Sequence, residues 1–227
     1  MPLIDSGPLR AVTELVLPLS CAGCGGSLRH PRPGMCGSCL LTLELKDPGP
    51  SPPDPPPPGM PLCFAGGPYA GTLREAILAY KERGRHDLRR PLADLLARTV
   101  IALPGTGSPV LVPVPSTRAA RRRRGCDHIG PLAEAAARLA GGTVVPCLRA
   151  RRRPDSVGRD RRARLSSAEG AFTPRFGRWP REGTAVVIVD DVMTSGATLS
   201  AVAGVLRDMG LRPAGAAVLA AAGRHAK

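Results

Sequence analysis

From residue 71 onward the chain shows two kinds of apolar pattern, which alternate along the sequence. Short continuous aliphatic runs predict buried strands, because a strand covered on both faces of a sheet has no polar side. Between them, apolar residues at helical spacing predict helices. The predicted strands cover residues 110–115, 143–148, 186–189 and 214–221, and the predicted helices cover residues 71–80, 88–103, 127–140 and 197–209. This alternation predicts an α/β fold, in which a parallel sheet is flanked by helices.

The strand predicted at residues 186–189 runs directly into two acids, Asp190 and Asp191, and then into a loop of small residues. Ligands of parallel sheets bind beyond the carboxyl ends of the strands, where these acids are expected to stand. Ionised carboxylates accept hydrogen bonds and therefore suit the vicinal hydroxyls of a ribose. The loop at residues 194–198 offers hydroxyl donors, a glycine and the first N–H groups of the next helix, which together suit a phosphate.

The order of these parts predicts a site for a ribose that carries a 5′-phosphate. Each part alone has a simpler interpretation: two acids after an aliphatic strand can bind Mg²⁺ or face water, and a Ser/Thr turn can cap a helix. The complete order favours the ribose phosphate.

These residues, VVIV-DD-VM-TSGAT, resemble the 5-phosphoribosyl-1-pyrophosphate (PRPP) motif of type I phosphoribosyltransferases. That motif consists of four apolar residues, two acids and a T-x-G-x-T loop at this spacing. The resemblance implies the type I phosphoribosyltransferase fold, with the acids on the ribose hydroxyls, the loop on the 5′-phosphate, and Mg²⁺ accompanying PRPP. The residues that it assigns to PRPP are Asp190, Asp191, Val192, Met193, Thr194, Ser195, Gly196, Ala197 and Thr198.

Four cysteines near the amino terminus form a C-x2-C-x11-C-x2-C pattern, made of Cys21, Cys24, Cys36 and Cys39. Two such pairs can direct four thiolates at one ion, which predicts a closed structural zinc site. An iron–sulfur cluster and redox thiols are the alternatives, and zinc is favoured because redox C-x-x-C motifs normally occur singly. The isolated Cys63, Cys126 and Cys147 are interpreted as small buried hydrophobes.

The sequence divides into three parts. Residues 1–46 contain a short amphipathic helix at 8–19 and the four-cysteine zinc ribbon, and residues 62–227 contain the α/β domain. Between them, residues 47–61 are dominated by proline, which predicts a semi-rigid spacer that forms neither helix nor sheet.

The formal net charge of +14, from 32 Lys and Arg against 18 Asp and Glu, predicts anionic partners, either phosphates or nucleic acid. Arginine-rich composition also fits a GC-biased genome, so charge alone does not establish nucleic-acid binding. No apolar run approaches the about 18 residues of a membrane span, and the amino-terminal residues, which include Asp5 and Glu14, lack the basic character of a signal peptide. We therefore expect a cytoplasmic protein without membrane insertion, in which seven cysteines do not form a disulfide framework.

Further motifs resemble the ComF family of competence-associated, phosphoribosyltransferase-like proteins over nearly the whole chain. After the cysteine pairs come Y-x-x-x-L-R-x-x-I-x-x-x-K-x-x-G-R at residues 69–85, LVPVP-x-x-R at 111–118, R-x-R-G at 122–125, and R-x-x-R at 161–164 before GAF. Two segments depart from that family: RGCDH replaces RGFNQ at residues 124–128, and PDSVG replaces a T-x-x-Q segment at 154–158. The resemblance implies a link to DNA uptake and to competence-machinery proteins.

Basic residues supply candidates for binding pyrophosphate. Arg118 lies in the loop after the first core strand, which contacts pyrophosphate in the superfold, and Lys81 and Arg85 are candidates for the same anion. The catalytic set predicted on this basis is Asp190, Asp191, Lys81 and Arg118. A solvated surface charge is the alternative for each base. For His128, a helix N-terminal position is favoured over catalysis.

An arginine-rich segment precedes the motif, since residues 118–164 contain 14 Arg against four acids. Residues 149–164 are predicted either to close over the site as a lid or to follow the phosphates of single-stranded DNA. Three functions are therefore open: a transferase that uses PRPP and an unidentified acceptor, a non-catalytic PRPP sensor that binds single-stranded DNA, and a zinc-ribbon nucleic-acid binder with a vestigial site. The intact acids and loop argue against the third.

Overall fold

The computed structural model describes residues 20–28, 34–117, 122, 127–151 and 170–223. The helix predicted at residues 8–19, Cys126 and ten of the 14 arginines of residues 118–164, including the candidate Arg118, lie outside these described residues. None of the helices in the described ranges combines the length and the apolar character that a membrane span requires.

Within the described ranges, eight strands form two sheets. They are β1 (Gly49–Pro50), β2 (Cys63–Ala65), β3 (Val110–Pro113), β4 (Thr143–Val144), β5 (Leu148–Ala150), β6 (Phe172–Pro174), β7 (Val186–Met193) and β8 (Pro213–Ala221). The main sheet has the order β1-β2-β8-β7-β3-β4 and is parallel except for β1, whereas β5 and β6 pair antiparallel in a separate hairpin. The motif strand β7 therefore occupies an interior position, as its continuous apolar run predicts.

Helices cover both faces of the main sheet. They are α1 (Gly37–Glu44), α2 (Gly71–Glu82), α3 (Arg89–Ala102), α4 (Ile129–Leu139) and α5 (Ala197–Asp208), with a 3₁₀ turn at His86–Leu88. Along β7, Val187 and Val189 face the core formed with α2, α3 and α4, while Val186 and Ile188 face the core formed with α5. The predicted α/β fold with a largely parallel sheet between helices is confirmed.

Some predicted boundaries are wrong. The strand predicted at residues 143–148 ends at Val144, because Pro146 has no N–H for a ladder and the amide of Cys147 instead closes a turn onto the carbonyl of Val145 at 2.9 Å. In the opposite direction, β7 extends past residue 189 to Met193, so Asp190 and Asp191 lie inside the strand rather than after it. The short strands β2 and β6 were not predicted, since three residues carry too little pattern.

The proline-rich segment packs against the α/β domain. The prediction that it forms no sheet is wrong at Gly49–Pro50, which pairs antiparallel with β2. Farther along, the hydroxyl of Ser200 on α5 donates to the carbonyl of Pro58 at 2.6 Å, and the guanidinium of Arg207 donates to the carbonyl of Gly59. The division of the chain at residues 46 and 62 stays a prediction.

Two arginines attach the four-cysteine segment to the helices. Arg85, just after α2, donates to the carbonyls of Ser20 and Gly34 at 3.0 Å each and pairs with Asp87 at 2.8 Å. Arg98 on α3 donates to three carbonyls at the end of α1 and beyond, those of Leu43, Glu44 and Lys46. Because Arg85 is engaged in this way, it does not reach the site where the sequence suggested an anion.

Candidate functional site

Four elements converge on a cavity at the carboxyl ends of β3 and β7. The cavity has a volume of about 350 Å³ and is lined by the end of α2, the loop after β3, the start of α4 and the acids of β7. Asp190, Asp191, Lys81 and His128 supply ionisable side chains, and the hairpin of β5 and β6 borders it with Arg151 and Phe172. This placement agrees with the expectation that parallel sheets bind ligands beyond the carboxyl ends of their strands.

The two acids of β7 face opposite sides of the sheet, because successive strand residues alternate. Asp191 shares its side with Val187 and Val189, toward α2 and α4, whereas Asp190 shares its side with Val186 and Ile188, toward α5. Asp190 accordingly lines both the main cavity and a smaller one at the phosphate-type loop.

The loop at residues 194–198 forms this smaller cavity at the amino end of α5. Gly196 adopts a left-handed conformation with φ of 73°, which a side chain disfavours, and an added Cβ would meet Met60 Sδ at 2.5 Å. Unpaired amides at a helix amino terminus favour an anion. Since Thr198 and Val192 border both cavities, a phosphate in the loop and a sugar in the main cavity would be adjacent.

Asp191 is buried, with 5% of its surface exposed, and three donors hold its carboxylate. Lys81 Nζ lies 2.5 Å from Oδ2, His128 Nε2 lies 3.0 Å from the same oxygen, and the backbone amide of Val192 donates to Oδ1 at 2.7 Å. Burial raises the pKa of Asp191. The hydrogen bond from His128 and the ammonium of Lys81 lower this pKa by more than burial raises it, so the pKa lies below its usual range. Asp191 is therefore an ionised carboxylate.

Asp190 has the opposite electrostatic environment. Burial, together with the negative charge of Asp191, raises the pKa of Asp190 well above its ordinary value, and the amide of Asp191, which donates to Asp190 Oδ1 at 2.9 Å, offsets only part of this. Burial and the negative charge of Asp190 also raise the pKa of the Cys63 thiol to about 12. This agrees with the prediction that Cys63 is a small buried residue.

The sequence did not predict the contact of His128 with Asp191. His128 directly precedes α4, at the helix N-terminal position that the sequence favours, but its side chain makes no capping hydrogen bond and instead contacts Asp191. Tyr80, also missed, donates from its hydroxyl to the carbonyl of His128 at 2.9 Å. The usable signal was topological, because the loop from a parallel strand to its helix lies at the ligand-binding edge of the sheet.

The four predicted metal ligands come together. Their sulfurs all lie within 4.8 Å of one another, with Cys21 and Cys36 Sγ at 3.7 Å and Cys24 and Cys36 Sγ at 3.8 Å. A tetrahedral zinc ion with Zn–S bonds of about 2.3 Å places its sulfurs about 3.8 Å apart. These separations exceed the about 2.05 Å of a disulfide bond. The cluster therefore could bind a metal such as zinc.

Hydrogen bonds around the sulfurs favour thiolates at part of this cluster. The amides of Gly23 and Cys36 approach Cys21 Sγ at 3.4 and 3.3 Å, and they lower the pKa of Cys21 despite the opposing effect of burial. The hydroxyl of Ser38 lies 3.2 Å from Cys36 Sγ and is the main reason that the pKa of Cys36 falls to about 6. Burial raises the pKa of Cys39 to about 12, so this ligand would need the metal to deprotonate it.

A comparison with protein families covers the carboxyl-terminal part of the chain. Residues 134–227 match the phosphoribosyl transferase domain. The matched phosphoribosyl transferase region runs from within α4 to the end of the chain and contains both acids and the phosphate-type loop, whereas Lys81, His128 and the four cysteines lie before it. No curated protein matches the chain at a significant level.

Zinc content tests the metal site. We expect the chain purified from zinc-containing medium to carry about one zinc ion, measured by elemental mass spectrometry, because four sulfurs at tetrahedral separation form a closed site. Cys24→Ser should lose most of the metal and lower the unfolding temperature, while Cys147→Ala, at a buried cysteine far from the cluster in sequence, should retain it. Full zinc loading in Cys24→Ser would contradict the assignment, and bound iron would identify the cluster alternative.

The raised pKa of Asp190 predicts a pH-dependent effect on stability. The native state holds this proton more tightly than the unfolded state, so ionising Asp190 costs stability as pH rises from its ordinary pKa through the folded pKa. Asp190→Asn should therefore stabilise the ligand-free protein and raise its Tm at pH 7.5, and it should do so by less at pH 5. Calorimetric scans check this against Asp208→Asn, an exposed acid on α5. Equal Tm values of wild type and Asp190→Asn at pH 7.5 would contradict it.

Proposed function

We propose that the protein binds PRPP and acts as a phosphoribosyltransferase on an unidentified acceptor. The observation that supports this most is the continuity of the two cavities: a phosphate-type loop and a carboxylate-lined cavity share Asp190, Val192 and Thr198. A ribose 5-phosphate needs these two environments side by side, and the match of residues 134–227 to the phosphoribosyl transferase domain supports the same ligand class.

In this proposal the acids of β7 bind the ribose. A carboxylate offers about four acceptor positions, and the described contacts of Asp191 occupy two on Oδ2 and one on Oδ1. We assign a further acceptor position on Oδ1 to a sugar hydroxyl. Asp190, which borders the phosphate loop, accepts the other hydroxyl, and a hydroxyl ligand offsets the cost of its ionised form.

Pyrophosphate is placed on the β3 side of the ribose. The loop after β3 contributes Pro115, Ser116 and Thr117 to the cavity, directly before Arg118, and Lys81 faces the same space. Mg²⁺ would enter with PRPP and would rely mainly on pyrophosphate oxygens and water, because Asp191 is already engaged by Lys81 and His128. Lys81 and Arg118 thus keep their proposed catalytic roles as cations beside the leaving group.

A second cavity of about 780 Å³ borders the phosphate loop and shares no lining residue with the main cavity. This cavity lies between the proline-rich segment and the ends of β7 and β8, and it reaches Thr194 and Ser195 of the phosphate loop. In the reaction, the acceptor attacks the anomeric carbon, the bond from that carbon to pyrophosphate breaks, and the acceptor loses a proton. The protein has to orient both partners and exclude water from the oxocarbenium-like state.

The second candidate is a ComF-like protein that senses PRPP without catalysis and binds single-stranded DNA in the cytoplasm during DNA uptake, with competence-machinery proteins as partners. The net charge of +14 favours it, since basic residues neutralise nucleic-acid phosphates. Both candidates share the PRPP site and differ in turnover and in the second ligand.

Calorimetric titration with Mg²⁺ and PRPP tests the shared site. We expect zinc-loaded wild type to bind PRPP and the double variant Asp190→Ala/Asp191→Ala to bind at least about tenfold more weakly, because two hydrogen bonds to charged acceptors are lost. Asp208→Ala, with an exposed acid on α5, is the matched control and should bind like wild type. Absence of binding by folded wild type would contradict the proposal.

Pyrophosphate release and DNA binding separate the two candidates. Release of pyrophosphate from PRPP in the presence of nucleobase or amine acceptors supports the transferase. Binding of single-stranded oligonucleotide, measured by fluorescence anisotropy and weakened steeply by salt, with no release for any acceptor, supports the sensor. DNA binding that is unchanged in Asp190→Ala/Asp191→Ala and unaffected by PRPP would contradict a PRPP-linked DNA function.

A further inference from the structure

The carboxylate of Asp191 depends on a histidine that lies outside the matched phosphoribosyl transferase region. His128 is 5% exposed, and its Nε2 lies 3.0 Å from Asp191 Oδ2. An ionised carboxylate can only accept hydrogen bonds, so Nε2 must carry the proton and act as the donor. The imidazole N–H is thus one of the two side-chain donors to Oδ2.

The second donor is Lys81 on α2, whose Nζ lies 2.5 Å from Asp191 Oδ2. Lys81 ends a long flexible side chain on α2, whereas His128 has a short and rigid one at the start of α4. A point charge attracts the carboxylate but fixes its rotation weakly, while the planar imidazole donates along a single direction. His128 is therefore the better suited of the two to set the plane of the Asp191 carboxylate.

The backbone of His128 is anchored independently of its side chain. The hydroxyl of Tyr80 donates to the carbonyl of His128 at 2.9 Å in a buried contact, and Ile129 and Leu132 of α4 are fully buried in the core beside it. Replacing the imidazole should consequently leave α4 in place. This makes it possible to remove the donor without removing the fold.

We infer that His128 is a positioning residue, which orients the Asp191 carboxylate so that Oδ1 faces a ribose hydroxyl. The inference rests on the proposed binding of PRPP. It extends that function by one residue for which neither the motif nor the family match accounts, and it specifies the part of the ligand that the residue serves, which is the sugar and not the phosphate.

Two variants of His128 and one control test this. His128→Gln keeps an N–H donor near the position of Nε2, and His128→Leu fills similar space without a donor. The control, Glu134→Leu, replaces an exposed polar side chain on α4 outside the cavity by leucine. We expect His128→Leu to weaken Mg²⁺-PRPP binding by about tenfold, because a hydrogen bond to a charged group is lost while Lys81 remains. His128→Gln should stay within about threefold of wild type, and Glu134→Leu should match wild type.

A second ligand distinguishes positioning from a general structural effect. Inorganic phosphate contains no sugar, so its affinity for the loop at residues 194–198, followed by phosphorus NMR, should be the same within about twofold in wild type and His128→Leu. Parallel loss of phosphate and PRPP binding would indicate a structural role and overturn the inference. Equal PRPP affinity in wild type and His128→Leu would overturn it while leaving the proposed function intact. Failure of wild type to bind PRPP would overturn the proposed function and this inference together.

Discussion

A buried negative charge organises the candidate site. Asp191 sits on the central strand with 5% of its surface exposed, where an unpaired carboxylate would cost several kcal/mol. Lys81 and His128 compensate this charge, and they come from α2 and α4, which lie on the same side of the sheet. The site therefore requires both helices to be docked on β7, so the packing of the larger core and the electrostatics of the cavity depend on each other.

The end of α2 also connects this charge to the four-cysteine segment. Lys81 in the last turn of α2 contacts Asp191, and four residues later Arg85 donates to the carbonyls of Ser20 and Gly34 beside the cysteines. Cys21, Cys39 and Leu43 belong to the same apolar core as Leu73 and Leu92. The cysteine segment is thus packed as a continuation of the α/β core, and a metal bound there would stabilise the surface on which α2 rests.

The proline-rich segment supports the other half of the site. Met60 and Pro53 lie against Gly196, and the carbonyl of Pro58 accepts a hydrogen bond from Ser200 in the first turn of α5. The same segment lines the larger cavity with Ser51 and Asp54. Proline restricts the backbone before folding, which reduces the entropy lost when the segment packs. The proline-rich composition that predicts a spacer is therefore also suited to a stiff segment that lines a cavity.

The sequence by itself determined the α/β class, the position of the acids and phosphate-type loop, and the cluster of four cysteines. Each of these depends on residues close together in the chain: continuous apolar runs for β7 and β8, a fixed spacing for TSGAT, and two C-x2-C pairs that only have to meet each other. The apolar pattern did not predict that β7 extends through Asp190 and Asp191. Polar residues at a strand end continue the ladder when the neighbouring strand, here β8, is long enough to pair with them, and the pattern of one strand does not contain that length.

Only the tertiary structure decided which side chains surround the acids. His128 is 63 residues from Asp191 in the chain, and periodicity specifies the face on which a residue lies but not the partner across a gap of that size. Arg85 and Lys81 show the same limit. Both are cations near the end of α2 and both were candidates for the same anion, but Arg85 donates to backbone carbonyls whereas Lys81 pairs with the buried carboxylate of Asp191. Their partners follow from how α2 crosses the sheet, which is a property of packing in three dimensions and leaves no local pattern.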